Sequence, residues 1–151
     1  MIVDIAKLDA EGKGFAGEEP SEVFDLADAK DVRPAGPIRY NIRVSPAGNS
    51  IVAQGVLKAD LAFECVRCAE FFQLTVCDPE FMVVREISNK DESIDLTQDI
   101  RESMILAFPT NPLCAPNCRG LCPRCGTNLN KRSCRCVNSA TDERWSVLNN
   151  L

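Results

Sequence analysis

The sequence has no histidine among its 151 residues. That absence excludes Ser-His-Asp and Cys-His catalysis, histidine metal ligands and the general base that many enzymes use near neutral pH. Long apolar runs are also missing, and none approaches the ~20 residues that a membrane-spanning helix needs. Residues 1–14 scatter acids among few apolar side chains, which predicts neither a secretory signal nor a transit peptide. We therefore expect a cytoplasmic protein with no membrane partner.

Cysteine, by contrast, is frequent, with nine in the chain. Six of them lie within 23 residues, at Cys114, Cys118, Cys122, Cys125, Cys134 and Cys136. Cys65 and Cys68 form a separate Cys-x-x-Cys pair. In a reducing compartment, clustered cysteines more often bind metal than form structural disulfides, and an odd number argues against a complete disulfide framework. The ninth, Cys77, is predicted to be a small buried apolar residue at the end of a strand.

The strongest local motif is Cys122-Pro-Arg-Cys125-Gly126. A Cys-x-x-Cys-Gly loop lets two sulfurs converge on one ion, and glycine permits the positive φ that such a turn requires. Cys134 and Cys136 offer a second pair nine residues later. Together the two pairs predict a four-cysteine site in which zinc would be tetrahedral.

How the four cysteine pairs combine into sites is open from the sequence. Cys65 and Cys68 could join Cys114 and Cys118 in a second four-cysteine site. Alternatively, the Cys65 pair could join the Cys122 pair, leaving the Cys114 pair and the Cys134 pair to form the second site. A single site, or none, is the third possibility. All-cysteine ligation favours zinc, although iron–sulfur clusters also use four cysteines. Because no site leaves an open ligand position, we expect structural metal that the C-terminal region needs in order to fold.

Apolar and polar residues alternate in a way that predicts an antiparallel β-meander. The predicted strands lie at residues 2–8, 23–26, 38–44, 51–64, 72–76 and 81–86. Residues 51–64 should bend at Gly55, with Ala59, Leu61 and Phe63 on one face. Residues 21–30 also suit one or two helical turns.

One main helix is predicted at about residues 95–108. Asp95 suits its N-cap, with Gln98 as the capping-box partner, and Pro109 should end it. Every fourth residue is apolar, which predicts a face packed on the sheet. That stripe consists of Leu96, Ile100, Met104 and Phe108.

Charge divides the chain into two regions. Residues 1–112 carry 20 acids and 11 bases, whereas residues 113–151 carry 2 acids and 6 bases. This difference in charge indicates two regions with different roles. Together with the predicted strands and helix, it predicts an α+β fold in which residues 1–112 form an antiparallel β-rich domain with the helix. Residues 113–151 should form a small cysteine-rich zinc-binding module that ends in a short helix at 142–151. The bases among these cysteines could contact RNA phosphate or could balance the negative charge of the metal–thiolate centres.

Several motifs together resemble one known family. Leu113-Cys114-x-x-x-Cys118-Arg119-Gly120-Leu121-Cys122-Pro123-x-Cys125-Gly126-x-Asn128-Leu129-Asn130 precedes Cys134-x-Cys136. Upstream lie Gly55-x-Leu57-x-Ala59-x-Leu61 and Cys65-x-Arg67-Cys68, and Asp142-x-Arg144-Trp145-x-x-Leu148 closes the chain. This pattern resembles the YceD family, the large ribosomal RNA subunit accumulation proteins. Ala69, Arg132 and Glu143 depart from the family pattern, but no cysteine is lost.

The resemblance implies a non-enzymatic cytoplasmic bacterial factor for the synthesis, processing or accumulation of large-subunit (23S) ribosomal RNA. We expect its partner to be a ribosomal RNA precursor or a ribosomal protein, and we expect no small-molecule substrate. Two alternatives remain. A zinc-ribbon adaptor would bind a different protein partner, and a thiol oxidoreductase would use Cys65 and Cys68, which lack the helix N-terminus that usually lowers such a pKa.

Overall fold

A four-stranded antiparallel sheet dominates the computed structural model, which describes residues 1–87 and 93–136. The strands are β1 (Ile2–Asp4), β2 (Lys13–Glu19), β3 (Val32–Ala47), β4 (Ser50–Glu64), β5 (Phe71–Glu86) and β6 (Ser93–Asp95), and the helix α1 spans Thr97–Leu106. The large sheet has the order β2-β3-β4-β5, and β1 pairs with β6 separately. The predicted antiparallel β-rich fold, with a single α-helix among the described residues, is confirmed. The helix predicted at 142–151 lies outside the described residues.

Strand β4 forms the centre of the core because its apolar residues alternate. Its buried face consists of Ile51, Ala53, Leu57, Ala59, Leu61 and Phe63. A two-residue turn at Gly48 and Asn49 sets the register of β3 and β4, pairing Ala47 with Ser50. The register of β4 against β5 shifts between Gly55 and Leu57, where the sequence predicts a bend.

The two strands predicted at 72–76 and 81–86 are one continuous strand, β5. The proline at position 79 suggests a break, but β5 is an edge strand and Pro79 lies where its register with β4 shifts. A proline is tolerated at such a place because no ladder hydrogen bond from its nitrogen is needed.

The N-terminal predictions are only partly right. Strand β1 ends at Asp4, whose carboxylate accepts a hydrogen bond from the Ala6 N–H and begins a 3₁₀ turn at Ile5–Lys7. The strand predicted at 23–26 is absent, because Ser21–Phe24 is a 3₁₀ turn. This outcome matches the alternative of a helical turn in that region. Strand β2 was not predicted.

Helix α1 packs the predicted apolar stripe against the sheet. Leu96, Ile100 and Met104 are fully buried, and the Phe108 ring lies 5.9 Å from that of Phe24 and 5.4 Å from that of Phe63. The predicted cap is displaced by one residue. Leu96 occupies the N-cap, while Asp95 ends β6 and accepts a 2.9 Å hydrogen bond from the Thr97 N–H. No helix in the described ranges has the length and apolar character needed to cross a membrane.

Candidate metal centres

The loop that joins β4 to β5 holds the first pair of cysteines at the end of the sheet. The Cys65 N–H donates to the Glu70 carbonyl at 2.9 Å, and the Ala69 N–H donates to the Cys65 carbonyl at 2.9 Å. Ala69 has a φ of +55°, so the chain turns sharply after Cys68. Both sulfurs therefore lie on the inner side of a tight turn, where Cys65 and Cys68 are buried although Val66 between them is exposed.

The chain returns to this turn after helix α1. The Val66 N–H donates to the Pro112 carbonyl at 3.1 Å, which brings the following segment against the sheet end. The first cysteine group, Cys65, Cys68, Cys114 and Cys118, forms there. All four sulfurs lie within 4.8 Å of one another.

Sulfur–sulfur distances in the first cysteine group match a tetrahedral ion site. They are 3.8 Å between Cys65 and Cys118 and 3.7 Å between Cys68 and Cys114. Four sulfurs placed ~2.3 Å from a central zinc at tetrahedral angles lie roughly 3.8 Å apart. A disulfide would instead bring two sulfurs to about 2.05 Å.

The second cysteine group consists of Cys122, Cys125, Cys134 and Cys136, again within 4.8 Å of one another. Its turn is built like the first, because the Gly126 N–H donates to the Cys122 carbonyl at 2.9 Å. Gly126 has a φ of +69° at the position that corresponds to Ala69 in the first turn. Glycine adopts this conformation without strain, as the Cys-x-x-Cys-Gly motif predicts.

These groups correspond to the first of the two pairings that the sequence leaves open. The eight cysteines expected to bind metal therefore lie in two sets of four. Cys77 lies in neither, and its predicted burial is wrong, since its side chain is exposed. It faces solvent because it pairs with exposed Lys58 on the outer face of the sheet.

Hydrogen bonds shift the pKa values of the thiols in opposite directions. Burial acts to raise the pKa of Cys65, but backbone N–H groups of Cys114, Arg67 and Cys68 outweigh it and lower the pKa to about 6. In the second group, the Thr127 hydroxyl and N–H lower the pKa of Cys125 to about 6. The hydrogen bond with Cys125 raises the pKa of Cys136 to about 12. Each group thus concentrates negative charge on sulfurs that a cation could share.

Basic residues surround the two groups. Residues 113–136 contain five bases and no acid. Arg67 donates from its guanidinium to the Cys118 carbonyl at 3.1 Å, and Lys131 lies 2.6 Å from the Glu70 carboxylate. The Lys131 ammonium lowers the pKa of Glu70. These cations offset the charge that four thiolates and a divalent ion would create.

One residue near the sulfurs is not predicted from the sequence to be functional. Asn130 donates from Nδ2 to the Cys118 sulfur at 3.2 Å. The motif Asn128-Leu129-Asn130 was visible in the sequence, but nothing in its spacing connects it to a cysteine twelve residues earlier.

The donor sets fit a metal that takes four thiolates. Every ligand atom is sulfur, and the four sulfurs of each group already lie at distances that one ion can span. Zinc and iron–sulfur chemistry both use four cysteines, so the ligand set leaves the identity of the metal open.

The C-terminal half of the chain, which contains six of the eight grouped cysteines, matches a known protein family. The model of the family described as large ribosomal RNA subunit accumulation protein YceD matches residues 78–151. Residues 78–151 are a YceD-family sequence. The resemblance that the motifs indicate is thereby confirmed over residues 78–151.

Two relatives carry the family description in their names. A chloroplastic YCED homolog 1 of Arabidopsis thaliana is 37% identical over 60 residues, covering 40% of this chain and 19% of the relative. A chloroplastic YCED homolog 1 of Zea mays is 24% identical over 151 residues, covering 72% of this chain and 52% of the relative. Both are named large ribosomal RNA subunit accumulation proteins.

A longer match extends beyond the YceD region. An uncharacterized protein of Mycobacterium tuberculosis strain H37Rv is 27% identical over 173 aligned residues, covering 98% of this chain and 79% of the relative. No solved structure matches the chain.

Proposed function

We propose that this chain is a non-enzymatic factor in the accumulation of large-subunit (23S) ribosomal RNA, and that its two cysteine groups bind structural zinc. The observation that carries the metal assignment is the pair of four-sulfur groups, with sulfurs 3.7–3.8 Å apart in the first. The ribosomal role is supported by the YceD match at residues 78–151.

A structural role follows from the ligand count. A zinc ion held by four cysteines has no open position for water or substrate, unlike catalytic zinc. When bound, zinc would supply cross-links that a short segment with few apolar residues cannot supply by packing. Binding to such modules contributes about 10–16 kcal/mol of apparent free energy.

Charge favours a ribosomal protein over bare RNA as the direct partner. Residues 1–112 carry 20 acids and 11 bases, so most of the chain repels phosphate. The five bases at 113–136 are largely offset by the roughly −2 charge that each zinc–thiolate centre would carry. Ribosomal proteins are generally basic and complement the acidic domain. The alternative partner is a ribosomal RNA precursor, contacted by the cysteine-rich region.

A thiol oxidoreductase is disfavoured by the same geometry. Cys65 is only 1% exposed, so its sulfur cannot easily reach a substrate disulfide. The hydrogen-bonding distances also connect Cys65 to Cys118 and Cys68 to Cys114. The Cys65 pair therefore belongs to a four-sulfur group.

Native mass spectrometry of protein purified without oxygen tests the metal assignment. We expect two zinc ions per chain for the wild type and one ion for each of the variants Cys65→Ser and Cys122→Ser. Cys77→Ser is the matched control and should retain two ions, because Cys77 lies outside both groups. A wild-type chain whose mass is the same under native and denaturing conditions would refute the assignment.

A second experiment tests the ribosomal role. Cells whose own copy is deleted should have a reduced ratio of 23S to 16S ribosomal RNA. Expression of the wild type or Cys77→Ser should restore the ratio, whereas Cys122→Ser should not.

Affinity purification should recover a ribosomal protein in a ribonuclease-resistant complex. Loss of that complex on ribonuclease treatment would identify RNA as the partner, and recovery of a transcription complex instead would favour the zinc-ribbon adaptor.

A further inference from the structure

The side chain of Asn130 connects the two cysteine groups. In the sequence, Asn130 lies between Cys125 and Cys134, two cysteines of the second group. Its amide nevertheless reaches the first group, donating from Nδ2 to the Cys118 sulfur at 3.2 Å. The Asn130 Oδ1 atom accepts a 2.8 Å hydrogen bond from the Arg119 N–H, which fixes the orientation of the amide.

Backbone contacts place the loop of the second group directly on the first. The Leu129 N–H donates to the Gly120 carbonyl at 2.9 Å, and the Leu121 N–H donates to the Arg67 carbonyl at 3.0 Å. Residues 119–121 are the whole of the chain between Cys118 of one group and Cys122 of the other. Asn130 itself lies in the loop 126–133, which begins after Cys125 and ends before Cys134, both in the second group. The position of Asn130 therefore depends on the folding of this loop.

We propose that Asn130 couples metal binding at the two cysteine groups, a proposal that rests on the zinc binding proposed above. An N–H donor stabilises the negative charge of a metal-bound thiolate, and such surrounding hydrogen bonds commonly change metal affinity 10–100-fold. Metal in the second group orders the loop that presents Asn130 to Cys118. Binding free energies are reciprocal, so metal in the first group must raise the affinity of the second by the same factor.

Asn128 supports this placement without touching a sulfur in the described contacts. Its Oδ1 atom accepts from the Asn130 N–H at 3.0 Å, and its Nδ2 atom lies 3.4 Å from the Glu70 carboxylate. Glu70 follows Cys68 by two residues. The loop therefore contacts the first group at two places, through Asn128 at Glu70 and through Asn130 at Cys118. Asn130 alone of the two asparagines donates to a ligand sulfur, and it is the positioning residue.

The test is a Zn²⁺ titration of the reduced, metal-free full chain followed by native mass spectrometry. The wild type should pass from no ion to two ions with little of the one-ion species. Asn130→Ala should accumulate the one-ion species, because the ratio of the two stepwise affinities falls about 10-fold. Exposed Asn117→Ala, in the same segment, is the control and should behave like the wild type.

Asn130→Asp separates the role at sulfur from a role in loop structure. The carboxylate can still accept from the Arg119 N–H but has no N–H to give to Cys118, and it adds a charge beside the thiolate. We expect it to weaken zinc in the first group at least as much as Asn130→Ala. If Asn130 acts only through its bond with Arg119, Asn130→Asp will have the zinc affinity of the wild type in the first group. That result would overturn the proposal.

A double-mutant cycle measures the coupling itself. Cys134→Ser removes a ligand of the second group, and competition with a chelator then gives the zinc affinity of the first. The affinity should fall about 10-fold when Asn130 is present and change little in the Asn130→Ala background. Equal effects in both backgrounds, with two ions still bound by the wild type, overturn the coupling alone. A wild type that binds no zinc overturns the proposed metal binding as well.

Discussion

Gly120 lies against the backbone of Arg67, so close that a Cβ atom on residue 120 would come within 3.0 Å of the Arg67 carbonyl oxygen. The Leu121 N–H donates to the same oxygen at 3.0 Å. The segment between the two cysteine groups is thereby fixed to the turn that carries Cys65 and Cys68. A larger residue would force the neighbouring backbone to move by a few tenths of an ångström, and Gly120 also has a φ of +72°.

Gly120→Ala should lower the free energy of unfolding by about 2 kcal/mol or more, because it combines backbone strain with the clash at Arg67. The left-handed conformation alone costs about 1–2 kcal/mol for an L-residue. Gly48→Ala is the matched control, since Gly48 has a φ of +64° but open space around it. Chemical denaturation of the metal-loaded proteins measures both variants. Equal losses would show that the contact with Arg67 contributes nothing.

Arg85 and Asp99 join strand β5 to helix α1. The Arg85 guanidinium donates to both carboxylate oxygens of Asp99, at 2.5 and 3.3 Å. The Asp99 side chain is only 8% exposed, whereas that of Arg85 is 50% exposed. Arg85→Ala should therefore destabilise the fold by about 2 kcal/mol, because it leaves a buried carboxylate without its partner.

Asp99→Ala should cost less, since the half-exposed Arg85 can be hydrated by water once its partner is removed. Denaturation midpoints of the two single variants and the double variant give the comparison. The double variant should be close to Asp99→Ala. If Asp99→Ala is the more harmful single change, burial of the carboxylate does not control the energetics of this pair.

The sequence predicts the parts of this fold that depend on local periodicity. The alternation in β4 and the four-residue spacing in α1 each follow from one face that must be buried. Strand β2 could not be predicted in this way, because Gly14 and Gly17 interrupt its pattern and most of its side chains are exposed. Its place is determined by pairing with β3, which a local pattern does not encode.

The sequence predicts the cysteines as ligand pairs, and it offers the observed grouping of these pairs into sites as one of two alternatives. Spacing along the chain indicates which cysteines can converge locally, as for Cys122 and Cys125. Whether Cys114 meets Cys65 depends on the path after helix α1, and a single backbone bond from Val66 to Pro112 helps to define that path. The position of Asn130 follows from the same tertiary folding, so no local motif could have indicated its contact with Cys118.

Met104 tests the packing of the helix on the sheet. Its side chain is fully buried, so Met104→Ala removes apolar contacts and leaves a cavity, with an expected loss of about 2–5 kcal/mol in the free energy of unfolding. Leu106 lies on the same helix but is 85% exposed, which makes Leu106→Ala a matched control with an expected effect near zero. Denaturation curves measure both. A similar loss for the two variants would contradict the packing described here.

Removal of metal should unfold the cysteine-rich segment and leave the sheet and helix in place. The main core contains no cysteine, and Cys65, Cys68 and Cys118 form their own buried cluster, against which Phe72 and Leu113 pack. Phe72 also contacts the main core. The Leu129 N–H donates to the Gly120 carbonyl, and we expect its protection from hydrogen exchange to depend on the second cysteine group. The protection of the amides in β4 should depend on the main core instead.

Hydrogen exchange with and without a chelator measures this difference. After chelation, the Leu129 amide should exchange at nearly the rate of an unfolded chain, while amides near Leu57 stay protected. Returning zinc should restore protection at Leu129, which controls for damage by the chelator. Simultaneous loss of protection at both positions would mean that the sheet also depends on the metal. Unchanged protection at Leu129 would mean that residues 113–136 hold their structure without it.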